Sequence, residues 1–395
     1  METEEYFKIK KEIYQTVLNY VEYECDTQDD YQNLIKFFDN QKFRDNRDEF
    51  KELLHMILKI SNNHHRQHDF SKKIETIITY LKDDITQTFS NSEIFNIFKS
   101  NKKIILFLYQ SQIIIIDETI LYFLNKKYPE KARSKIDQTK FFQFFYPEFK
   151  ALLDEETKSS IEKELSEIDP VDIENFDVNR QNGENESCVC KLIRNDSIDD
   201  FVTFVNQTNL PLMSLIKPSI FETNSFLIEN KETTLIEYAA FFGSIQIFNF
   251  LKLSGVDLKP SLWLYAVHSN NADLIHLLED YNVMLPDNSH EKCLEEAVKC
   301  HHNEIANYFF EKVKGQIEGE KVTKEKSDNE NYFNENVLAY TFHYYNGTFL
   351  PTDFSNKLTF FYACKYNYLT LVNLLLKNEE VNVNETIIST IKLSL

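Results

Sequence analysis

The one stretch of this chain that suggests a nucleophile is Cys300-His301-His302, where a thiol stands beside two imidazoles. A catalytic cysteine needs such a base within hydrogen-bond reach. Adjacent residues on a helix point in different directions, however, and His301 falls at a predicted turn. The chain also carries no glycine-rich phosphate loop and no Gly-x-Ser-x-Gly nucleophile elbow. We therefore expect no catalytic residues and no enzymatic activity.

Two other stretches could hold a metal ion. His64 and His68 stand four residues apart and would share one face of a helix, but no glutamate occupies the position of a zinc-hydrolase base and no third ligand is close. Cys188-Val189-Cys190 lacks a second half with zinc-ligand spacing. We therefore expect residues 61–70 to form a solvated loop, and we expect no metal site and no cofactor.

Charge and composition exclude several classes of partner. The 395 residues include 63 acidic and 43 basic side chains, a net charge of −20, and such a surface repels the phosphates of nucleic acids and anionic membranes. The most apolar stretch, 104–124, is interrupted by Gln110, Gln112 and Asp117 and is expected to form buried helices. The scattered cysteines are typical of free thiols in a reducing compartment. These observations predict an intracellular, cytoplasmic protein with no nucleic-acid or membrane partner and no small-molecule substrate.

Helices must position whatever sites the chain has. Only 6 glycines and 8 prolines are present, too few for a many-stranded sandwich, and apolar residues recur at helical spacing. The predicted fold class is all-α. We expect a helical domain at 1–165, an acidic linker at 166–187 and a solenoid of helix pairs at 188–395, with a charged, mobile insertion at 311–331.

A short motif repeats in the second half of the chain. Thr234–Leu253 predicts two antiparallel helices joined at a glycine, which takes positive φ without a Cβ clash. Three further copies align with it. The aligned small residues are Ala239, Ala266, Ala297 and Ala363, and the turn residues four positions later are Gly243, Asn270, His301 and Asn367. We expect Ala239 and Ala266 to be tightly buried, because larger side chains would overpack that contact. A degenerate copy is expected near 92–124, with Asn101 in the turn position.

These columns resemble ankyrin repeats. Thr234–Ala240, Thr-Leu-Ile-Glu-Tyr-Ala-Ala, stands in the place of that family's Thr-Pro-Leu-His-x-Ala-Ala, and Gly243-Ser244 replaces Gly-His. Leu374-Leu375-Leu376 keeps the leucine run. The resemblance covers roughly 188–395 and implies an ankyrin-like helix-pair solenoid. The divergence is similar to that of the large ankyrin families of parasitic flagellate protists of the trichomonad type, in which a helical N-terminal region of unknown function precedes the repeats.

The resemblance also implies a function, because ankyrin arrays bind protein partners on a concave face. The positions carried over as partner-binding are Phe241, Phe242, Leu258, Lys259, His268, Ser269, Lys299, Lys365 and Tyr366. For Phe241 and Phe242 an alternative stays open, in which they pack on a neighbouring repeat or on 209–230. We expect a scaffold or adaptor for an unidentified protein partner. The alternative is an adaptor that recruits a ubiquitin ligase through the helical N-terminal half.

Overall fold

The structure is a computed structural model that describes residues 2–22, 28–65, 69–125, 138–167, 174–230, 232–320, 328–351 and 357–377. Within these ranges the chain is helical and forms no strand, so the prediction of an all-α fold is confirmed. An antiparallel bridge pairs Leu215 with Thr234.

The helices of the first half begin at residues that can cap them. Asn46 accepts from two backbone N–H groups at the start of the helix Arg47–Asn63, and Ser90 and Glu93 form a capping box at the start of the helix Asn91–Phe98. The helices are α1 (Glu2–Glu22), α2 (Gln28–Asn40), α3 (Arg47–Asn63), α4 (Phe70–Tyr80), α5 (Lys82–Thr88), α6 (Asn91–Phe98), α7 (Lys102–Gln110), α8 (Glu118–Asn125), α9 (Gln138–Phe144), α10 (Tyr146–Phe149), α11 (Glu155–Leu165) and α12 (Phe176–Asn182).

The helices of the second half come mostly in pairs. They are α13 (Cys188–Arg194), α14 (Ile198–Thr208), α15 (Ser225–Glu229), α16 (Leu235–Phe242), α17 (Ile245–Leu253), α18 (Leu262–His268), α19 (Ala272–Asp280), α20 (Glu291–Lys299), α21 (Asn303–Glu320), α22 (Asp328–Tyr344), α23 (Lys357–Lys365) and α24 (Leu369–Lys377). A 3₁₀ turn at Gly347–Phe349 takes the place of a second helix after α22.

The chain divides into two compact units, one made of 1–80 with 266–395 and the other of 81–265. This grouping differs from the predicted boundaries. Within the first unit, α1 packs on α24 and on the 3₁₀ turn, and α3 also packs on α24. The cause is apolar: Tyr6 and Phe7 of α1 share a buried cluster with Phe342, Leu371 and Leu375.

The predicted repeat columns have the expected geometry. Each aligned alanine, Ala239, Ala266, Ala297 and Ala363, is 0% exposed. Each residue in the turn column has positive φ: 69° at Gly243, 52° at Asn270, 60° at His301 and 64° at Asn367. The burial prediction for Ala239 and Ala266 is therefore confirmed, and so is the register of the four copies.

Backbone hydrogen bonds show why these turns need a left-handed residue. The N–H five positions after the alanine reaches back to the alanine carbonyl in three of the copies, from Ser244 to Ala239 (2.9 Å), from His302 to Ala297 (3.1 Å) and from Tyr368 to Ala363 (2.9 Å). Such bonds close the C-terminus of a helix only when the chain turns through the left-handed region. The left-handed turn therefore also fixes the direction in which the side chain of the following residue points.

That following residue binds the preceding helix pair. Four such bonds run from Ser244 Oγ to the Ile193 carbonyl (2.6 Å), from His302 Nδ1 to Val267 (2.8 Å), from Asn346 Nδ2 to Val298 (3.0 Å) and from Tyr368 OH to Phe342 (3.2 Å). Every acceptor lies in the last turn of the first helix of the preceding pair. Asn346 follows a left-handed residue, Tyr345 (φ 58°). The helix before this turn, α22, therefore occupies the position of the first helix of another pair.

Two predictions need correction. Asn101 has φ −120° and caps α7 by accepting from Ile104 N–H at 3.0 Å, so the pair α6–α7 exists but its turn is not left-handed. The insertion predicted at 311–331 is helical as far as Glu320, with Val313 buried. Its residues 321–327 lie outside the described residues.

Replacing Asn346 by alanine should destabilise the unit that contains it. The substitution removes the donor to Val298, a second bond to Asn303 Oδ1, and the cap that accepts from Thr348 N–H. Losing a buried amide with these bonds should cost about 2 kcal/mol. Denaturant unfolding measures the loss. Asn307→Ala, at an exposed asparagine of α21, is the control, and an equal effect of both changes would contradict the role of the bond.

Candidate functional site

Phe241 is buried, in contrast to its predicted place on a contact surface. Its side chain is 6% exposed, and its ring stacks on Phe226 with centroids 5.9 Å apart. Phe226 belongs to 209–230, so Phe241 has the packing that the sequence left open as an alternative. Phe242 is half-buried and lies against Tyr238, with ring centroids 4.8 Å apart. Phe241 therefore stabilises the 81–265 unit and presents no surface to a partner.

His268 and Ser269 are also buried, with 1% and 5% of their surface exposed. They lie at the end of α18, where the next helix pair covers them. Ser269 Oγ donates to the Ala266 carbonyl at 2.7 Å, and His268 contacts Glu296 and Cys300. This corrects their predicted role, because neither side chain can meet a partner while the unit is folded.

The other predicted contact residues keep some exposure. Leu258 and Lys299 are half-buried, as is Tyr366, whereas Lys259 and Lys365 are exposed. Lys365 lies above aromatic rings, with its ammonium 5.3 Å from the Tyr366 centroid. Lys259 belongs to the 81–265 unit and the remaining lysines to the other unit.

Lys259 lines a surface groove that the sequence did not predict. Its cavity has a volume of about 110 Å³. We call it the tip groove, because it lies where the loop after α17 meets the chain before α16. Its lining residues are Met213, Leu215, Thr234, Ile236, Glu237, Val256, Asp257, Lys259 and Leu262.

Hydrogen bonds hold both walls of the tip groove in place. Ile216 N–H donates to the Thr233 carbonyl at 2.7 Å, beside the bridge between Leu215 and Thr234. Glu237 completes a capping box with Thr234 and accepts from Ser261 Oγ at 2.5 Å. The carboxylate of one helix therefore fixes both the start of α16 and the loop that carries Lys259.

Two apolar side chains of the tip groove face solvent. Met213 is 63% exposed and Leu215 is 52% exposed. Asp257 and Lys259 stand exposed beside them. Apolar side chains that are held rigidly at a surface and rimmed by charge are typical of protein contact sites.

A second candidate lies in the other unit, where a thiol, an imidazole and a carboxylate meet. Cys300 Sγ lies 3.3 Å from His268 Nδ1, and His268 Nε2 lies 2.6 Å from Glu296 Oε1. Lys299 Nζ is 2.8 Å from the same carboxylate oxygen. Because a carboxylate only accepts, Nε2 carries the proton of the neutral ring and Nδ1 accepts from the thiol.

The charges of this cluster are set by burial and by the lysine. Burial alone would raise the pKa of Glu296, but the Lys299 ammonium and the His268 imidazole outweigh it and lower that pKa to about 2. Burial lowers the pKa of His268 and raises the pKa of Cys300. The carboxylate and the ammonium are therefore charged, while the imidazole and the thiol are neutral.

The sequence singled out Cys300 but assigned it the wrong neighbours. It compared the thiol with His301 and His302, whereas the imidazole that contacts it stands 32 residues earlier in the chain. The repeat could have predicted this contact, because His268 at the end of α18 lies about one repeat length before Cys300. Glu296 and Cys300 are also four residues apart and share a helix face.

The histidines of the predicted loop at 61–70 differ from expectation as well. His64 is 2% exposed, its Nε2 lies 2.9 Å from Glu22 Oε1, and its ring centroid is 4.9 Å from that of His302. His64 is therefore part of the core and not of a solvated loop. His68 lies outside the described residues.

No family model, no curated protein and no solved structure matches this chain. In the part of the chain that the structure describes, no helix has the length and apolar character needed to cross a membrane.

Thiol labelling should separate two classes of cysteine. Cys188 and Cys364 are exposed, and Cys190, Cys293 and Cys300 are buried. Burial raises the pKa of Cys190 to about 11 and that of Cys293 to about 12, so both remain unreactive thiols. Among these five described cysteines, a maleimide followed by peptide mass spectrometry should modify Cys188 and Cys364 first. Labelling of Cys300 at the rate of Cys364 would contradict its burial.

Two further histidines in the 1–80 and 266–395 unit are held neutral. Burial lowers the pKa of both His55 and His343 to about 4. Nearby lysines lower both pKa values further. Lys51 and Lys59 act on His55. Lys59, Lys365 and Lys299 act on His343.

Replacing both His55 and His343 by phenylalanine should make the unit less sensitive to acid. The folded-state pKa values lie below the ordinary value of about 6.5. The neutral rings therefore stabilise the fold above that pH, and the stabilisation is lost as the pH falls towards 4. Between about pH 7.5 and about pH 4.5, the denaturant midpoint should fall further for wild type than for the double variant. His276→Gln, at an exposed histidine, should behave like wild type. Equal acid sensitivity in wild type and the double variant would show that these rings do not matter.

Proposed function

We propose that this chain is a protein-interaction scaffold built from ankyrin-like helix pairs, and that it holds a protein partner at the tip groove. The observation that carries the proposal is the exposure of Met213 and Leu215 on a backbone that hydrogen bonds hold in place. The repeat columns support the ankyrin-like assignment, because small residues and left-handed turns recur in register.

The tip groove suits a partner for two physical reasons. Burying apolar surface is favourable by about 25 cal/mol for each Å² removed from water, and Met213 and Leu215 now face water. The bond from Ser261 to Glu237 and the bridge at Leu215 already order the walls, so little conformational entropy is lost on binding. Lys259 and Asp257 at the rim would select the orientation of the partner.

The experiment needs the full chain, because a cut at residue 188 would divide the unit made of 1–80 and 266–395. Proteins captured by the wild-type chain are identified, purified and titrated against variants. Met213→Asp with Leu215→Asp should weaken binding at least about tenfold, since it puts two carboxylates in the apolar contact. Val178→Asp, at a 55% exposed residue of α12 in the same unit, is the control and should bind normally.

Other outcomes separate the alternatives. Equal binding by the double variant and the control would exclude the tip groove as the contact site. Ubiquitin-ligase subunits captured by wild type and by both variants alike would favour an adaptor that works through its N-terminal half. A wild-type chain that captures no protein reproducibly would contradict the scaffold function itself.

A further inference from the structure

The cluster of His268, Glu296 and Cys300 brings together three kinds of metal ligand. Each residue offers one ligand atom, and these atoms all lie within 4.8 Å of one another. Two of the ligands come from one helix face, because Glu296 lies in α20 and Cys300 follows its last residue. The third ends α18, the first helix of the preceding pair.

The bond that joins the two pairs also places the ligands. His302 Nδ1 donates to the Val267 carbonyl at 2.8 Å, directly before His268, so the C-terminal ends of α18 and α20 lie side by side. His268 and Cys300 are 1% and 0% exposed. The ligand set is therefore withdrawn from solvent and held by the packing of the two pairs.

We propose that His268, Glu296 and Cys300 form a zinc site that joins the helix pair α18–α19 to the pair α20–α21, independently of the scaffold function. A thiolate, an imidazole and a carboxylate are the ligands that Zn²⁺ accepts together, whereas Mg²⁺ and Ca²⁺ prefer oxygen alone. The fourth position of a tetrahedral ion would be filled by water.

Two of the ligand distances can be compared with those of a tetrahedral zinc site, and the three ligand atoms all lie within 4.8 Å of one another. In a tetrahedral site with Zn–S of about 2.3 Å and Zn–N of about 2.0 Å, sulfur and nitrogen lie about 3.5 Å apart. Cys300 Sγ lies 3.6 Å from His268 Nε2. Nitrogen and carboxylate oxygen would lie about 3.3 Å apart, compared with 2.6 Å between Nε2 and Glu296 Oε1. The carboxylate oxygen must therefore move away from Nε2, and Sγ, which lies 3.3 Å from Nδ1 and 3.6 Å from Nε2, must turn towards the Nε2 side, before the ion has room.

On binding, the zinc ion would take the place of the Lys299 ammonium as the positive charge beside Glu296. Lys299 now neutralises Glu296, and its side chain is 18% exposed, so its ammonium can withdraw to solvent as the ion arrives from that side. Of the two protons now on Sγ and Nε2, one stays with the ring on Nδ1 and the other is released. The zinc ion, the thiolate and the carboxylate then sum to zero charge.

Titration of the full chain with Co²⁺ tests the proposal, because a cobalt–thiolate bond gives an ultraviolet charge-transfer band. The band should saturate at one ion per chain, and Zn²⁺ should displace it. Cys300→Ser and His268→Gln should each weaken binding at least about tenfold. Cys364→Ser, at an exposed thiol, is the control and should keep the band. Lys299→Met should tighten binding by about tenfold or more, since it removes a competing charge.

Thermal unfolding gives a second readout that does not depend on the variants folding. Zn²⁺ should raise the Tm of the wild-type chain, and a chelator should reverse the rise, because an ion bound to the folded state alone stabilises it. Mg²⁺ should have no such effect. A wild-type chain without the cobalt band, a band that survives Cys300→Ser, or a band lost in Cys364→Ser would each overturn the proposal.

Discussion

The carbonyl groups in the last turn of four first helices, α13, α18, α20 and α22, are the constraint on which the stacking of the helix pairs depends. They have no donor within their own helix, and the next helix pair covers them. The chain satisfies them with a left-handed residue and the side chain that follows it, as in the bond from Ser244 to Ile193. Since the same bond recurs at His302, Asn346 and Tyr368, the spacing of successive pairs is set by hydrogen bonds as well as by apolar packing.

The features of this fold that the sequence predicted are local ones, namely close helix contacts and turns. A small residue at a close helix contact and a residue that tolerates positive φ leave a mark at fixed positions, so Ala239 and Gly243 could be found together with their copies. The first helix α22 does not carry this mark, because Thr341 stands in the alanine column. The packing of α1 on α24 could not be predicted, since apolar residues such as Phe7 show that a face is buried without showing what covers it.

The candidate sites show the same division. Phe241 follows the alanine pair, but the path of 209–230 brings Phe226 over it, and repeat periodicity carries no information about that loop. The loop that carries Met213 and Leu215, by contrast, leaves these apolar side chains exposed. The contact of Cys300 with His268 was missed for a different reason, because the sequence compared neighbours in the chain when the relevant neighbour lies one repeat away.

The left-handed turns of the later pairs carry side chains that make contacts of their own. A residue with a Cβ in the left-handed region costs about 1–2 kcal/mol, and His301, Tyr345 and Asn367 all accept that cost. Glycine could not make the contacts that His301 and Tyr345 make. His301 Nδ1 lies 3.3 Å from Tyr14 OH of α1, and Tyr345 donates to the Tyr366 carbonyl at 3.2 Å. The side chains at these two turns thus help to hold α1 and the last helix pair in the unit made of 1–80 and 266–395.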